Sequence, residues 1–118
     1  FLYAISGKED MGRLFENAVF LELKRRKEKN EEINYWKNNR GIEADFVLRV
    51  GLSVKKVIQV VYDIKETKTK KREIKGLLAS AQELGVKEGL IITKEYENKE
   101  KIDGVSITFL PLWKWLLI

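Results

Sequence analysis

Two polar residues interrupt apolar, strand-forming segments of this chain and are the first candidates for chemistry. Asp45 lies in residues 41–47 (GIEADFV), and Gln59 follows fourteen positions later in residues 57–62 (VIQVVY). Acidic residues are depleted in strands, and an unpaired buried amide costs about 1–3 kcal/mol, so both side chains need partners. The partner is either a ligand or, for Gln59, a structural backbone group. For Asp45 the alternative is an ion pair with Arg40 or Arg49.

Strand geometry indicates how these two side chains meet. Successive side chains of a strand point to opposite faces, so Asp45 shares a face with Glu43, and Gln59 shares one with Val61 and Asp63. A hairpin through a turn at Gly51 brings the two faces together, and Glu16 of a preceding helix is the natural third oxygen donor. Mg²⁺ and Mn²⁺ prefer oxygen ligands. The pattern therefore predicts a divalent-metal site made by Glu16, Asp45 and Gln59.

Composition restricts the class of protein. The 118 residues fit one domain with one core, spanning residues 1–118. Cysteine is absent, which excludes disulfides and thiolate metal sites, and no segment approaches the ~20 apolar residues of a membrane span. We therefore expect a cytoplasmic protein without membrane contact. The chain starts at Phe1 without a signal-peptide pattern, so we interpret it as a fragment of a longer polypeptide. The abundance of Lys and Glu is typical of hyperthermophile proteins.

Charge favours a polyanionic partner. The formal net charge is +5, and the excess is concentrated in residues 65–75. A basic segment of this kind neutralises phosphates and releases counterions, which predicts DNA binding. The alternative is a solvated loop followed by a helix start. The predicted DNA-binding residues are Lys65, Lys68, Lys70, Lys71 and Arg72.

Hydrophobic periodicity predicts an α/β fold with a central mixed sheet flanked by helices, in the order αββ(β)αββα. Helix one covers residues 9–27, with Ser6 and Glu9 in capping-box relation. Helix two ends at Gly85, which suits a left-handed C-terminal cap. The strand before helix two and the strand after it should run parallel. Residues 94–103 are predicted to be a loop. The strands are predicted at residues 33–36, 43–50, 54–64, 89–93 and 105–110, and a terminal helix at 112–118.

Five segments together resemble one known family over nearly the whole chain. They are GRLFENAVF at 12–20, YWK at 35–37, GIEADFV at 41–47, IQV at 58–60 and FLPLWKW at 109–115. They resemble the C-terminal domain of a group of archaeal and bacterial AAA-type ATPases, which is similar to the PD-(D/E)xK nuclease superfamily. The resemblance implies a restriction-endonuclease-like fold and an N-terminal ATPase domain in the same polypeptide. No ATP site is expected in this chain, since nothing in it resembles a phosphate-binding P-loop.

The resemblance assigns roles residue by residue. Glu16 matches the helix acid, Asp45 the strand acid, and Gln59 the first residue of the (Glu/Gln)-x-Lys element. Val61 stands where the family pattern has its lysine, and Val61 cannot orient a water or donate to a phosphate. Lys94, beyond the strand at 89–93, is one candidate to replace that lysine.

Three functional classes follow. The first is a metal-dependent deoxyribonuclease with Glu16, Asp45 and Gln59 as its catalytic residues. The second is a DNA-binding or protein-docking module of the ATPase without hydrolysis, which the substitution at Val61 favours. The third is a homotypic interaction domain that forms homo-oligomers through the apolar residues 1–5 and the Trp-rich tail. Trp113 and Trp115 of that tail are predicted to anchor the core rather than to stack on bases.

Overall fold

A six-stranded mixed sheet runs through the centre of the protein, and helices cover both of its faces. The computed structural model describes the backbone of residues 8–118 and the side chains from residue 10 onward. None of the helices in this part of the chain is long and apolar enough to cross a membrane. The elements are α1 (Lys8–Arg26), β1 (Glu31–Lys37), β2 (Glu43–Val50), β3 (Ser53–Val60), α2 (Thr67–Leu84), β4 (Glu88–Thr93), β5 (Asn98–Ile102), β6 (Val105–Pro111) and α3 (Leu112–Leu116).

The strand order in the sheet is β1-β2-β3-β4-β6-β5. Strands β1, β2 and β3 form an antiparallel meander, and the predicted hairpin through Gly51 is confirmed by the pair Val50 and Ser53. Strands β3 and β4 run parallel and are connected by α2, as predicted. Strand β6 also pairs in parallel with β4. Strand β5 closes the far edge by antiparallel pairing with β6.

The two faces of the sheet carry separate hydrophobic cores. We call the first the α2-side core, because Leu77 and Ala81 of α2 pack there against Val57, Ile91 and Phe109. We call the second the α1-side core. It joins α1 and α3 to the opposite face of the sheet through Val19, Leu23, Phe46, Ile58, Leu90, Ile92 and Trp115. The architecture is therefore three layers, with α2 on one face and α1 and α3 on the other.

Strand β5 corrects the prediction of a loop at residues 94–103. Its outer position requires only one partner strand, so a charged sequence can form it without entering a core. The signal in the sequence is Asp103-Gly104, whose φ angles of 51° and 80° are the positive values that a tight hairpin turn requires. The observed order is accordingly αβββαβββα, with one strand more than the prediction allowed.

The strand predicted at residues 54–64 is also shorter than expected, since β3 ends at Val60. The N–H of Val61 still donates to the carbonyl of Ile92, but the chain then turns, and Oδ1 of Asp63 accepts from the N–H of Lys65 at 3.0 Å. The prediction that Asp63 lies on the strand face of Gln59 is therefore wrong.

The helix ends and the aromatic residues give mixed outcomes. Gly85 has φ 73° and caps α2 in the left-handed conformation, as predicted. Trp115 is buried in the α1-side core, whereas Trp113 is 60% exposed, so only one of the two anchors the core. The predicted capping box at Ser6 and Glu9, and the apolar residues 1–5, lie outside the described side chains.

Candidate functional site

Gln59 is the buried centre of the candidate site. It lies near the end of β3, and only 3% of the residue is exposed. Its side-chain oxygen accepts from the N–H of Asp45 at 2.8 Å, and its amide nitrogen donates to the carbonyls of Glu43 at 3.1 Å and Glu73 at 3.5 Å. Gln59 thus links β2, β3 and α2 through backbone groups. One lone pair of its oxygen is left for any other ligand.

Asp45 sits where β2 and β3 separate. The paired register of the two strands begins with Phe46 opposite Ile58, so Asp45 and Gln59 lie just beyond it. The carboxylate oxygen Oδ2 of Asp45 accepts from the N–H of Val60 at 2.8 Å. Side-chain bonds from Asp45 and Gln59 therefore replace the backbone bonds that the two strands would otherwise form. This arrangement holds the separation open.

An irregularity in β2 orients this residue. Ala44 and Val47 both pack in the α2-side core, although a regular strand would place residues three apart on opposite faces. The register between β1 and β2 also shifts between Asn34 and Trp36. Bulges of this kind redirect side chains and are common beside functional sites. The simple alternation expected for residues 43–49 is therefore wrong, although Asp45 and Gln59 do meet.

Four carboxylates influence one another at this position, and we call them the acidic cluster: Glu16 on α1, Glu43 and Asp45 on β2, and Glu73 on α2. The pKa of Asp45 is raised to about 7, chiefly by burial and also by the negative charges of the other three carboxylates, while the hydrogen bond from Val60 acts in the opposite direction. Burial also raises the pKa of Glu73, which Arg72 partly offsets. At neutral pH the cluster therefore holds a carboxyl group that readily gains or loses a proton.

The members of the acidic cluster differ in exposure. Glu16 and Glu43 are exposed, and the Tyr35 hydroxyl donates to Glu43, which raises the pKa of Tyr35. Asp45 is half-buried, and the Glu73 side chain is 16% exposed. Sequence reasoning missed Glu73. Its signal is helical spacing, because Glu73 precedes the buried pair Gly76 and Leu77 by three and four residues.

Gly76 allows α2 to approach the site. A Cβ atom at this position would lie 2.7 Å from Nε2 of Gln59 and 2.7 Å from the carbonyl oxygen of Glu43. Both distances are too short for a carbon atom. A glycine in mid-helix costs roughly 1 kcal/mol relative to alanine, so the close approach is its structural reason.

The oxygen donors of the site are of the type that hard cations prefer, but their present positions do not form a metal-binding arrangement. Carboxylate and amide oxygens are the ligands that Mg²⁺ and Mn²⁺ prefer. Within residues 10–118, however, no group of three or more His, Cys, Asp or Glu side chains is arranged to hold a metal ion. A cation would need the long, exposed side chain of Glu16 to turn toward Asp45.

The described contacts of Val61 and Lys94 are with residues outside the acidic cluster. Val61 packs against the α2-side core. The ammonium group of Lys94 lies 5.2 Å from the ring centre of Tyr62, and a hydrogen bond with Tyr62 raises the pKa of Lys94. Phe15 of α1 also contacts Tyr62, in an edge-to-face arrangement with the ring centres 5.0 Å apart. Among the described contacts, none joins Lys94 to Asp45.

The predicted DNA-binding residues form a loop end and the first turns of α2. Lys65, Lys68 and Lys71 are exposed, and Arg72 lies 3.5 Å from Glu73. Lys70 differs from them. Its Nζ lies 3.0 Å from Oε2 of Glu100 and 3.1 Å from the hydroxyl of Tyr96, over the rings of Tyr96 and Phe109. Lys70 therefore connects α2 to β5 and β6.

Comparison with known proteins gives a family match, a relative by sequence and a solved structure with a similar fold. The family described as Domain of unknown function (DUF4143) matches residues 11–115. An uncharacterized protein of the archaeon Methanocaldococcus jannaschii is 36% identical over 121 residues, which cover 98% of this chain and 27% of the relative. This chain thus spans about a quarter of the length of that curated relative.

A solved structure has a similar fold. It is one chain in the refined half-complex from the tetradecameric assembly of Thermococcus gammatolerans McrB AAA+ hexamers with bound McrC. The TM-score is 0.61 at 18% identity, and the match covers 86% of this chain and 28% of that chain. At this identity the similarity concerns the fold alone.

Proposed function

This chain belongs to the DUF4143 family of domains of unknown function. From the arrangement of Asp45 and Gln59 and the motifs of the sequence, we propose that it is a nuclease-like domain acting on DNA phosphodiesters with a divalent cation. In this proposal Glu16 and Asp45 are the carboxylate ligands of Mg²⁺ or Mn²⁺, and the remaining lone pair of Gln59 completes the protein's share of the shell. The restriction-endonuclease-like identity of the fold is part of the same proposal.

The observation that carries the proposal is the separation of β2 from β3 at Asp45. Its carboxylate and the amide of Gln59 are held there by backbone groups, so two oxygen-bearing side chains are fixed in place before any ligand arrives. Such preorganisation is what a metal site requires of its supporting groups. Glu16, exposed on α1, has the freedom to turn inward and complete the carboxylate pair.

Electrostatics support a cation at this position. Asp45 and Glu73 are partly desolvated, and each is acted on by the negative charges of Glu43 and Glu16. In the metal-free protein this repulsion favours protonation. A bound divalent cation supplies the opposite charge, polarises a phosphodiester oxygen and lowers the pKa of a bound water. The protein would contribute the placement of Asp45 and Glu16.

A second candidate function is a DNA-binding or protein-docking module without hydrolysis. Val61 favours it, because an apolar side chain replaces the lysine of the motif that the sequence resembles. Gln59 favours it as well, since its amide already serves three backbone groups and carries no charge. Loss of one positioned acid, base or lysine typically lowers a rate 10²–10⁴-fold.

The test is calorimetric titration of Mg²⁺ and Mn²⁺ into the wild type, Asp45→Asn and Glu95→Gln. Asparagine keeps an oxygen for the N–H of Val60, and Glu95 is an exposed carboxylate outside the acidic cluster, so it serves as the matched control. We expect saturable binding in the wild type and the control, and loss of binding in Asp45→Asn. Equal binding in all three proteins would contradict the assigned site.

Cleavage of labelled DNA by the same proteins separates the two candidate functions. Metal-dependent cleavage that disappears in Asp45→Asn identifies a nuclease. Metal binding without cleavage leads to a second variant, Gln59→Glu with Val61→Lys, which supplies the charged residues of the motif. Cleavage gained by this variant would identify a degenerate nuclease site, and no gain would favour the module without hydrolysis.

The proposal also includes a partner. We propose that the domain works within or beside an AAA-type ATPase. The family resemblance of the sequence supports this, as does the fold shared with a chain of an assembly that contains AAA+ hexamers. We expect ATPase activity to co-purify with the full-length protein that contains this domain. We also expect removal of this domain to abolish DNA cleavage.

A further inference from the structure

A groove lies on the face of the sheet that carries α1 and α3, beyond the part those helices cover. Its volume is about 680 Å³, and strands β4, β6 and β5 contribute most of its lining. Trp115 and Ile118 border it on the side of α3. We call this feature the sheet groove. It is separate from the acidic cluster, none of whose members lines it.

Strand register fixes which side chains face the sheet groove. Lys101 of β5 is opposite Ser106 of β6, and Ser106 is opposite Glu88 of β4. One row further along, Lys99 is opposite Thr108, and Thr108 is opposite Leu90 of the α1-side core. Directly opposite residues share a face, so both lysines and both hydroxyls point into the groove.

A third lysine, on β3, faces the groove from the other side. Val57 pairs with Gly89, which places Lys56 beside Glu88 on the same face as Ile58. Strands are spaced about 4.8 Å apart, so Lys56 on β3 and the lysines of β5 lie roughly 14 Å apart across the groove. Lys99 and Lys101 are about 7 Å apart along β5. Positive charge therefore borders the groove on both sides.

Most of this charge is not neutralised within the protein. Lys56, Lys99 and Lys101 are exposed, and none of them forms an ion pair with an acidic side chain in the described part of the chain. Glu100 lines the groove edge, but its carboxylate is bound to Lys70 on the α2 side. Glu88 is the remaining acid of the lining, against three lysines.

The aromatic and arginine side chains of the lining are already engaged. Trp115 is 4% exposed and lies beneath Arg26, whose guanidinium carbon is 4.5 Å from the ring centre. Arg26 also donates to Glu22 at 2.6 Å and to the carbonyl of Trp115 at 2.8 Å. The described lining thus offers lysines and hydroxyls, which bind phosphates, and no exposed ring on which a base would stack.

We propose that the sheet groove binds the sugar-phosphate backbone of a nucleic-acid strand. Lys99 and Lys101 contact successive phosphates, Ser106 and Thr108 donate hydrogen bonds to phosphate oxygens, and Lys56 contacts the strand from the opposite side. Binding is independent of base sequence and weakens as salt increases. The proposal rests on the proposed nucleic-acid ligand, but it does not require a bound metal.

Fluorescence anisotropy tests the proposal with a labelled single-stranded oligonucleotide of mixed sequence, in EDTA so that no metal contributes. The groove variant is Lys99→Gln with Lys101→Gln. The matched variant is Lys68→Gln with Lys71→Gln, which removes the same charge from the basic run at the start of α2. Each pair lowers the formal net charge from +5 to +3. Thermal melting confirms that each variant is folded.

We expect the groove variant to bind the oligonucleotide at least about five-fold more weakly, with the slope of log K against log salt reduced by about 1.4. The matched variant should retain binding, because the present proposal places the phosphate contacts in the sheet groove, whereas the sequence alone predicted them at Lys68 and Lys71. Ser106→Asp, which places a negative charge between Lys101 and Glu88 without removing a lysine, should weaken binding as the groove variant does.

Four results would overturn the proposal. Loss of binding in the matched variant alone would assign DNA to the start of α2 and leave the proposed function standing. Equal loss in both variants would show a general charge effect. If the wild type does not bind the oligonucleotide, both the role of the groove and the DNA ligand are rejected. The metal titration would still test the acidic cluster separately. If a polyglutamate peptide displaces the oligonucleotide, and if its own binding is weakened in the groove variant but not in the matched variant, the ligand would be an acidic protein partner and not a nucleic acid.

Discussion

The N–H of Asp45 donates to the side-chain oxygen of Gln59 at 2.8 Å, so the two residues that interrupt neighbouring apolar strands are bonded to each other. The carboxylate of Asp45 in turn accepts from the N–H of Val60, the residue after Gln59. Gln59 therefore satisfies the backbone N–H of Asp45, and Asp45 satisfies the backbone N–H of the residue that follows Gln59. The pair acts first as a structural clamp between β2 and β3, and any metal chemistry is built on this clamp.

Replacing Gln59 with leucine should lower the free energy of unfolding by about 2–4 kcal/mol. Leucine has nearly the same size but leaves the N–H of Asp45 and the carbonyls of Glu43 and Glu73 without this partner. Chemical denaturation measures the change. Gln82→Leu, at an exposed position of α2, is the control and should stay within about 0.5 kcal/mol of the wild type. A small effect at both positions would mean that the clamp contributes little.

Gly76→Ala should destabilise the protein by about 1–3 kcal/mol, because the new Cβ would meet Gln59 and the carbonyl of Glu43 at 2.7 Å. Gly12→Ala is the matched change in α1, where no atom lies within 4 Å of the added carbon. There alanine should stabilise by roughly 0.5–1 kcal/mol through helix propensity. Opposite shifts in melting temperature are the expected result, and two stabilised variants would contradict the close approach of α2.

The stability of the metal-free protein should fall as pH rises from about 4 to 7, in part because of Asp45. Its folded-state pKa of about 7 is above the ordinary value of 3.8, so the folded state binds the proton more tightly than the unfolded state. The stability due to this proton is complete below pH 4 and lost as pH passes 7.

Asp45→Asn removes this titration. We therefore expect the free energy of unfolding of the variant, minus that of the wild type, to increase by about 2–4 kcal/mol between pH 4 and pH 8. Denaturation in EDTA at a series of pH values measures the difference between the two proteins. The control variant Glu95→Gln should run parallel to the wild type. A difference that is constant from pH 4 to pH 8 would show that Asp45 titrates normally.

Lys70→Met should lower the free energy of unfolding by more than it lowers the free energy of DNA binding. Its ammonium group connects α2 to Glu100 of β5 and lies over the rings of Tyr96 and Phe109, so we expect a loss of about 1 kcal/mol. Lys71→Met removes an exposed neighbour and should leave stability unchanged. Denaturation and oligonucleotide anisotropy on both variants check the prediction. A larger loss of DNA binding than of stability for Lys70→Met would contradict this expectation and support the DNA contact predicted for Lys70 from the sequence.

The amino-acid sequence by itself determined the framework of this fold. Periodicity located α1, α2, β2 and β4, since burial of one face or of both leaves a regular pattern of apolar residues. It also selected Asp45 and Gln59, because a polar residue in an apolar strand must be satisfied locally. The parallel pairing of β3 and β4 followed from the helix between them.

Tertiary structure decided what depends on elements distant in the chain. Strand β5 exists because β6 provides a partner, although its own residues are charged. Glu73 joined the acidic cluster, and Lys70 became a link to β5, because α2 packs across the sheet in one orientation. The sheet groove appeared only when register placed lysines from β3 and β5 on one face. Periodicity reports which residues are buried within one element, whereas packing between elements determines which side chains meet.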